Sequence, residues 1–283
     1  MSRLGKDKQE NMQMANLALS NLQDFEVIDI SQPVTNRTAA FPGDTSFSKQ
    51  IVVSLSQGGG FNLAAMTMSP HVGTHADAPL HIEGCMNEGN AISNAGTIDD
   101  VAATRDGYSA VAIGALSLEP FIGQVLVVDV LSLISDPGCL YNDARNYLSK
   151  NGQSYMGPIE LSLVQASLDK MSELPKRVLF KTAVEIDYNK FEDEYAYLTC
   201  ELVEYLAGRG VVLVGIDTPS VDHVRSKDLP THHSLLKHKF CWLENLDLIK
   251  VEAGTYFLSA LPLKLLEMEA SPVRAVLLKP KGS

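Results

Sequence analysis

Two segments of this chain, Gln124–Val130 (QVLVVDV) and Val211–Ile216 (VVLVGI), are near-continuous apolar runs, and Arg177–Thr182 (RVLFKT) is a shorter third. A strand with one wet face alternates apolar and polar residues, so an unbroken short run reads as a strand covered on both faces. Helical patterns lie between these runs. Pro158 stands at a first helical position ahead of Leu161, Val164, Leu168 and Met171. Tyr195–Leu206 places Leu198, Leu202, Tyr205 and Leu206 on one side and is followed by Gly208 and Gly210 as stop signals. Buried strands interleaved with amphipathic helices predict an α/β domain, with helices packed on a mixed sheet.

Around that centre, Phe25–Ile30, Ile51–Leu55 and Asn62–Ser69 read as strands, Ala40–Asp44 as a turn and Gly58–Gly60 as a hairpin loop. Two further strands are expected at Thr255–Leu261 and Val273–Leu277. Residues 1–24 read as an N-terminal extension whose Met14, Leu17, Ala18 and Leu22 have the spacing of a short amphipathic helix. Residues 25–283 then form a single domain. Its least regular part, Asp136–Lys176, contains Asp-Pro-Gly and Asn-Gly and reads as an enlarged surface excursion.

Charge and cysteine usage bound the partners. The formal charge of −11 over 283 residues lacks the concentrated basic face that sequence-independent binding to nucleic acid needs. No apolar run approaches the ~18–20 residues that cross a bilayer, and the polar N-terminus lacks the apolar core of a secretory signal. Cys85, Cys139, Cys200 and Cys241 are scattered, which fits free thiols in a reducing cytoplasm.

The chemistry is concentrated in histidine. Three of the seven histidines fall within Ser69-Pro-His-Val-Gly-Thr-His-Ala-Asp-Ala-Pro-Leu-His81. His71, His75, Asp77 and His81 all carry odd numbers, so an extended backbone would project them to one side. A helix would split them between two faces, and Pro79 would break it. Imidazoles with one carboxylate form a ligand set for zinc, or for manganese or iron at similar sites. A lone histidine is more often a hydrogen-bonded core or surface residue, and His223 and His238 read that way. Three histidines and an aspartate in one short string do not. A second cluster, Thr231 to Asn245, offers His232, His233, His238, Cys241 and Glu244, and spacing does not choose between the adjacent His232 and His233. Glu244 follows Phe240, Trp242 and Leu243, and a carboxylate buried there needs a cation or a proton. The G-x-S-x-G elbow, the Walker pattern and the G-x-G-x-x-G fingerprint are absent.

The string His71–His81 resembles the H-x-G-T-H-x-D-x-P-x-H signature of the metal-dependent cyclase/formamidase family. Asp29-Ile-Ser-Gln-Pro33, Phe41-Pro-Gly-Asp-Thr45, Gly215-Ile-Asp-Thr-Pro-Ser220, Ser226-Lys227 and Ala270-Ser-Pro-Val-Arg-Ala-Val276 are similar to its bacterial kynurenine formamidase branch. The resemblance runs from Phe25 to Leu277, apart from the irregular middle. It implies a swivelling β/β/α fold, a homodimer and two zinc ions per subunit, with manganese as the other candidate. By motif match His71, His75 and Asp77 would be ligands. The family's twelve-position spacing between histidine and glutamate would pair His232 with Glu244, and Asp77 and Glu244 would bridge the metals. His81 would be the catalytic histidine, and Phe41, where the branch often has tryptophan, would face the substrate's ring. The implied reaction is hydrolysis of N-formyl-L-kynurenine to formate and L-kynurenine. The rival readings are an isatin hydrolase-like enzyme of the same family and a non-catalytic protein stapled by a closed four-ligand metal site.

Overall fold

The apolar runs lie side by side at the centre of one sheet in the computed structural model, which describes residues 22–83, 111–135 and 142–281. The first part of the chain supplies β1 (Phe25–Asp29), β2 (Ser48–Val53), β3 (Leu63–Thr67) and β4 (His75–Asp77). The middle supplies β5 (Ile122–Asp129), α1 (Val130–Ser135), β6 (Pro158–Ile159), α2 (Leu161–Leu168) and β7 (Arg177–Lys181). The remainder supplies β8 (Tyr197–Leu198), α3 (Cys200–Gly208), β9 (Leu213–Ile216), α4 (Pro230–Lys237) and β10 (Cys241–Glu244). It ends with β11 (Gly254–Ser259), β12 (Ala270–Pro272) and β13 (Val276–Pro280).

Nine of these strands form a mixed sheet in the order β1-β13-β11-β5-β7-β9-β10-β4-β12. Pairing is parallel from β5 through β7 and β9 to β10, and antiparallel on both flanks. Both faces of the centre are covered, as the apolar runs require. Val178 and Phe180 point to the face that packs on Leu163, Val164 and Leu168 of α2, Leu202, Val203 and Leu206 of α3, and Leu235 of α4. Leu179 points to the opposite face, among Val125, Val127, Leu213, Leu243, Ile30, Phe121 and Leu246. Gly215 in β9 lies under this second layer. A Cβ there would come 2.5 Å from Leu179 and 2.8 Å from Leu246.

The sequence-based expectations differ from the structure in several places. Pro158 belongs to β6, and α2 begins only at Leu161, after the extended Glu160. The stretch from Tyr195 is not one helix: Tyr197–Leu198 pairs with β6, and Thr199 caps α3 by accepting from the Leu202 N–H at 3.3 Å. The last strand is displaced to Val276–Pro280, after the short β12. The described part of Asp136–Lys176 is no surface excursion, because Ala144, Tyr155, Ile159, Val164 and Leu168 are fully buried in the core. Cys241–Glu244, which carries no strand expectation, forms β10 and is buried throughout. Residues 1–21, 84–110 and 136–141, with Met14, Leu17, Ala18, Cys85 and Cys139, lie outside the described residues. Cys241 is buried in β10 and Cys200 is half-buried. Among the described residues no helix is long and apolar enough to cross a membrane.

Candidate active site

Strand β4 is three residues long and sits between β10 and β12, in a register that places His75 opposite Glu244 and Asp77 opposite Trp242. Residues directly opposite in an antiparallel pair share a face, so both pairs project to the same side, while Ala76 points into the apolar layer. The odd-number rule holds here on the extended part of the string. His71 precedes the strand, across a turn in which Gly73 adopts a φ of +72°. Pro79–His81 forms a single 3-10 turn beyond the strand that brings His81 back over the same face. The rings of His71 and His81 lie 4.5 Å apart, and those of His81 and His232 lie 5.6 Å apart.

The adjacent histidines of the second cluster separate on α4. His232 is buried at 2% exposure and faces the cluster, whereas His233 is exposed. Asp222 sets this geometry. It accepts from the Thr231 N–H at 2.9 Å and the His232 N–H at 3.0 Å, in the first turn of α4 where free donors and the helix dipole favour an anion. The same carboxylate lies 2.7 Å from His232 Nδ1 and accepts a hydrogen bond from it.

Two rings are thereby oriented alike. His75 Nδ1 is 2.8 Å from the Gly73 carbonyl, which can only accept, so this nitrogen carries the proton and Nε2 keeps its lone pair. His232 does the same through Asp222. Both Nε2 atoms, together with Asp77 Oδ1, are buried without a hydrogen-bond partner. They nevertheless face carboxylate oxygens: His75 Nε2 lies 3.4 Å from Asp77 Oδ1 and 3.4 Å from Glu244 Oε2, and His232 Nε2 lies 3.5 Å from Glu244 Oε1. Lone pairs aimed at carboxylates in a buried place call for a cation between them. The donor set fits a divalent metal. Two groups of potential ligand atoms, each within 4.8 Å, are His71–Asp77–His81 and His75–Asp77–Glu244, and Asp77 belongs to both. The carboxylates are held from behind, since Trp242 Nε1 donates to Asp77 Oδ2 at 2.9 Å and the Val221 N–H to Glu244 Oε1 at 2.8 Å.

Electrostatics follow this crowding. Burial opposes the charged form of His71, but Asp77, Glu269 and Glu244 outweigh it and raise its pKa to about 11. Burial works against the Asp77 carboxylate, yet the neighbouring His71, His75 and His81 hold its pKa well below the usual value. His81 is lowered, by burial first and then by the nearby His71 and His232, against the pull of Asp77 and Glu244. His232 is raised despite burial, through its hydrogen bond to Asp222 and the charge of Glu244.

His71, His81, His232, Glu244 and Glu269 line a cavity of about 870 Å³, while His75 and Asp77 are buried and do not line it. Phe41 stands on its wall, held by the turn Phe41-Pro-Gly-Asp44, in which the Asp44 N–H donates to the Phe41 carbonyl at 2.9 Å and Gly43 takes a φ of +100°. The Phe41 ring meets Phe191 edge-on at 5.1 Å, and Phe191 meets Tyr195 edge-on at 6.4 Å. Sequence reasoning placed Phe41 at the site but missed Phe191 and Tyr195, and also Asp222, Trp242 and Glu269. Glu269 Oε1 is 3.5 Å from His71 Nε2, and its Oε2 is buried without a partner. Its only signal in the sequence is its place directly before Ala270-Ser-Pro.

A mixed sheet that turns a buried histidine–carboxylate cluster with orphaned donors into a deep cavity is the arrangement of a metal-dependent hydrolase. The chain belongs to the Cyclase family, whose model matches residues 28–223. It is 38% identical over 249 residues to the kynurenine formamidase of Bordetella pertussis, covering 88% of this chain and 96% of that one. It is 34% identical over 252 residues to the kynurenine formamidase of Bacillus cytotoxicus, covering 89% of this chain and 97% of that one. The fold is shared with isatin hydrolase A from Ralstonia solanacearum, at a TM-score of 0.66 and 21% identity over 95% of this chain and 96% of that one. It is shared too with a structure described as a novel cyclase, at a TM-score of 0.67 and 16% identity over 95% of this chain and 92% of that one.

Proposed function

We propose that this protein is a metal-dependent arylformamidase that hydrolyses N-formyl-L-kynurenine to L-kynurenine and formate. The observation that carries this reading is the convergence of the buried Nε2 atoms of His75 and His232, neither with a hydrogen-bond partner, on Glu244, which with His232 lines a cavity that Phe41, Phe191 and Tyr195 also line. The kynurenine formamidases that this chain resembles over most of its length supply the substrate. His71, His75, Asp77, His232 and Glu244 would hold the metal, which we take to be two zinc ions. Bound there, zinc lowers the pKa of water towards ~7 and polarises a carbonyl oxygen.

The chain's own groups do the rest. Phe41 and Phe191 receive the substrate's aromatic ring and direct its formamide to the histidine–carboxylate cluster. Asp222 and the Gly73 carbonyl keep His232 and His75 in the tautomers that leave Nε2 free. His81, whose lowered pKa leaves its imidazole neutral near pH 7, takes a proton as water adds to the formyl carbon. It returns that proton to the aryl nitrogen as the C–N bond breaks, and formate and the free aniline leave.

We also propose that the protein is cytoplasmic and works as a homodimer. The dimer is supported by the β2–β3 hairpin, where Ile51, Val52, Leu55, Phe61, Leu63 and Met66 are all exposed. Apolar side chains gathered in this way mark an interaction surface.

An isatin hydrolase-like activity is the second reading, because a flat bicyclic lactam fits the same aromatic wall. Turnover of N-formyl-L-kynurenine and of isatin by the purified, zinc-loaded protein tests the proposal. The expected result is release of kynurenine and formate, with isatin the poorer substrate. Isatin opening without deformylation would establish the second reading instead.

A further inference from the structure

Tyr195 is buried at 6% exposure, yet its hydroxyl has no hydrogen-bond partner. Ser220 stands near that hydroxyl without completing a hydrogen bond. A buried donor left unsatisfied costs stability, and native cores rarely tolerate one without a use for it. The side chain lines the cavity, and it does so between the two parts that the chemistry needs. On one side its ring meets Phe191, which links it to Phe41 and the aromatic wall. On the other side it is close enough to Glu244 and Asp222 to feel both carboxylates. Burial, reinforced by these two charges, raises its pKa, so the phenol stays protonated and can only donate to an incoming acceptor without a proton of its own.

The backbone that carries it is fixed. The Thr218 hydroxyl donates to the neighbouring Ala196 carbonyl at 3.0 Å, and the Leu198 N–H donates to the Val221 carbonyl at 3.0 Å. Tyr195 is therefore a preorganised donor in a water-poor place, at the junction of the ring subsite and the metal-ligand cluster. An aryl amide whose ring meets Phe41 and Phe191 would bring its carbonyl oxygen towards that junction.

We propose that Tyr195 is a catalytic residue whose hydroxyl donates a hydrogen bond to the oxygen of the reacting carbonyl as that oxygen gains negative charge. The assignment deepens the hydrolase reading of the cavity and rests on it. Donors aimed at a developing oxyanion act mainly on the transition state, so their loss appears in kcat rather than in KM.

The test is Tyr195→Phe in the zinc-loaded enzyme, which removes one oxygen and keeps the ring. With N-formyl-L-kynurenine and with formanilide, which lacks the acyl side chain, kcat should fall ~10²-fold while KM stays within about twofold. The melting temperature should hold or rise, because an unsatisfied buried hydroxyl has gone. Unchanged kcat, a loss confined to KM, or a loss seen only with the longer substrate would overturn the assignment. Calorimetric binding of N-phenylphosphoramidate, a stable tetrahedral anion, separates this claim from the functional one. Even if the wild type deformylates nothing, the zinc-loaded wild type should bind that anion at least ~10-fold more tightly than Tyr195→Phe. Equal binding refutes the role of Tyr195 whatever the substrate proves to be.

Discussion

His75 and His232 each commit one ring nitrogen to a protein oxygen and leave the other pointing at Glu244. For His232 that orientation depends on one carboxylate. Asp222→Asn keeps most of the side-chain volume but loses the charge that holds the Nδ1 proton, and metal affinity should fall ~10–100-fold, as measured by competition with a chelator. His81 belongs to a different test. His81→Ala should lower kcat by ~10²–10⁴-fold while metal content, measured by mass spectrometry, stays near that of the wild type. Loss of metal and of the fold together would point instead to a structural site in which His81 is a ligand. Asp217 carries a pH dependence. Burial pushes its carboxyl up to about 6, against the donors Thr182 N, Thr182 Oγ1 and Ala183 N. A raised acid binds its proton more tightly in the folded state. Its contribution is therefore fully present below pH 4 and is lost as pH rises towards 6, at up to ~1.4 kcal/mol per pH unit. In Asp217→Asn this part of the slope should disappear from denaturant melts taken between pH 4 and pH 6.

At the scale of elements, the site depends on three short strands held in register by their neighbours. Gly215 shows how tight that support is. A side chain there meets Leu179 and Leu246, which also bury against β10, so Gly215→Val should cost ~1–3 kcal/mol in urea unfolding. Activity per folded molecule should fall as well, because β10 carries Glu244. The same dependence explains what could be read in advance. The central strands were legible because β5, β7 and β9 are covered on both faces and their apolar runs are local. His71, His75 and Asp77 were legible because one string holds all three, and the extended backbone was required by Pro79. Strand β10 was not legible: four residues are too few to show a pattern, and their strand structure is fixed by pairing with β4 and β9. Asp222, Glu269 and Tyr195 were invisible for a similar reason. Each is a single residue with no spacing pattern, brought to the site by the pairing of distant segments.

At the scale of the whole molecule, the described residues present a large cavity and an exposed apolar hairpin. If β2–β3 is the dimer contact, Val52→Asp with Met66→Asp should shift the protein from dimer to monomer in sedimentation velocity, since each of these side chains is more than half exposed in the single chain. A variant that remains dimeric would place the contact elsewhere. The central claim is that the buried histidine–carboxylate cluster is a metal-dependent deformylase centre. The most direct measurement is steady-state release of kynurenine and formate from N-formyl-L-kynurenine by the purified protein, before and after removal of metal by a chelator. The account predicts turnover that chelation abolishes and added zinc restores. No kynurenine from the zinc-loaded protein, or turnover that survives complete metal removal, would contradict it.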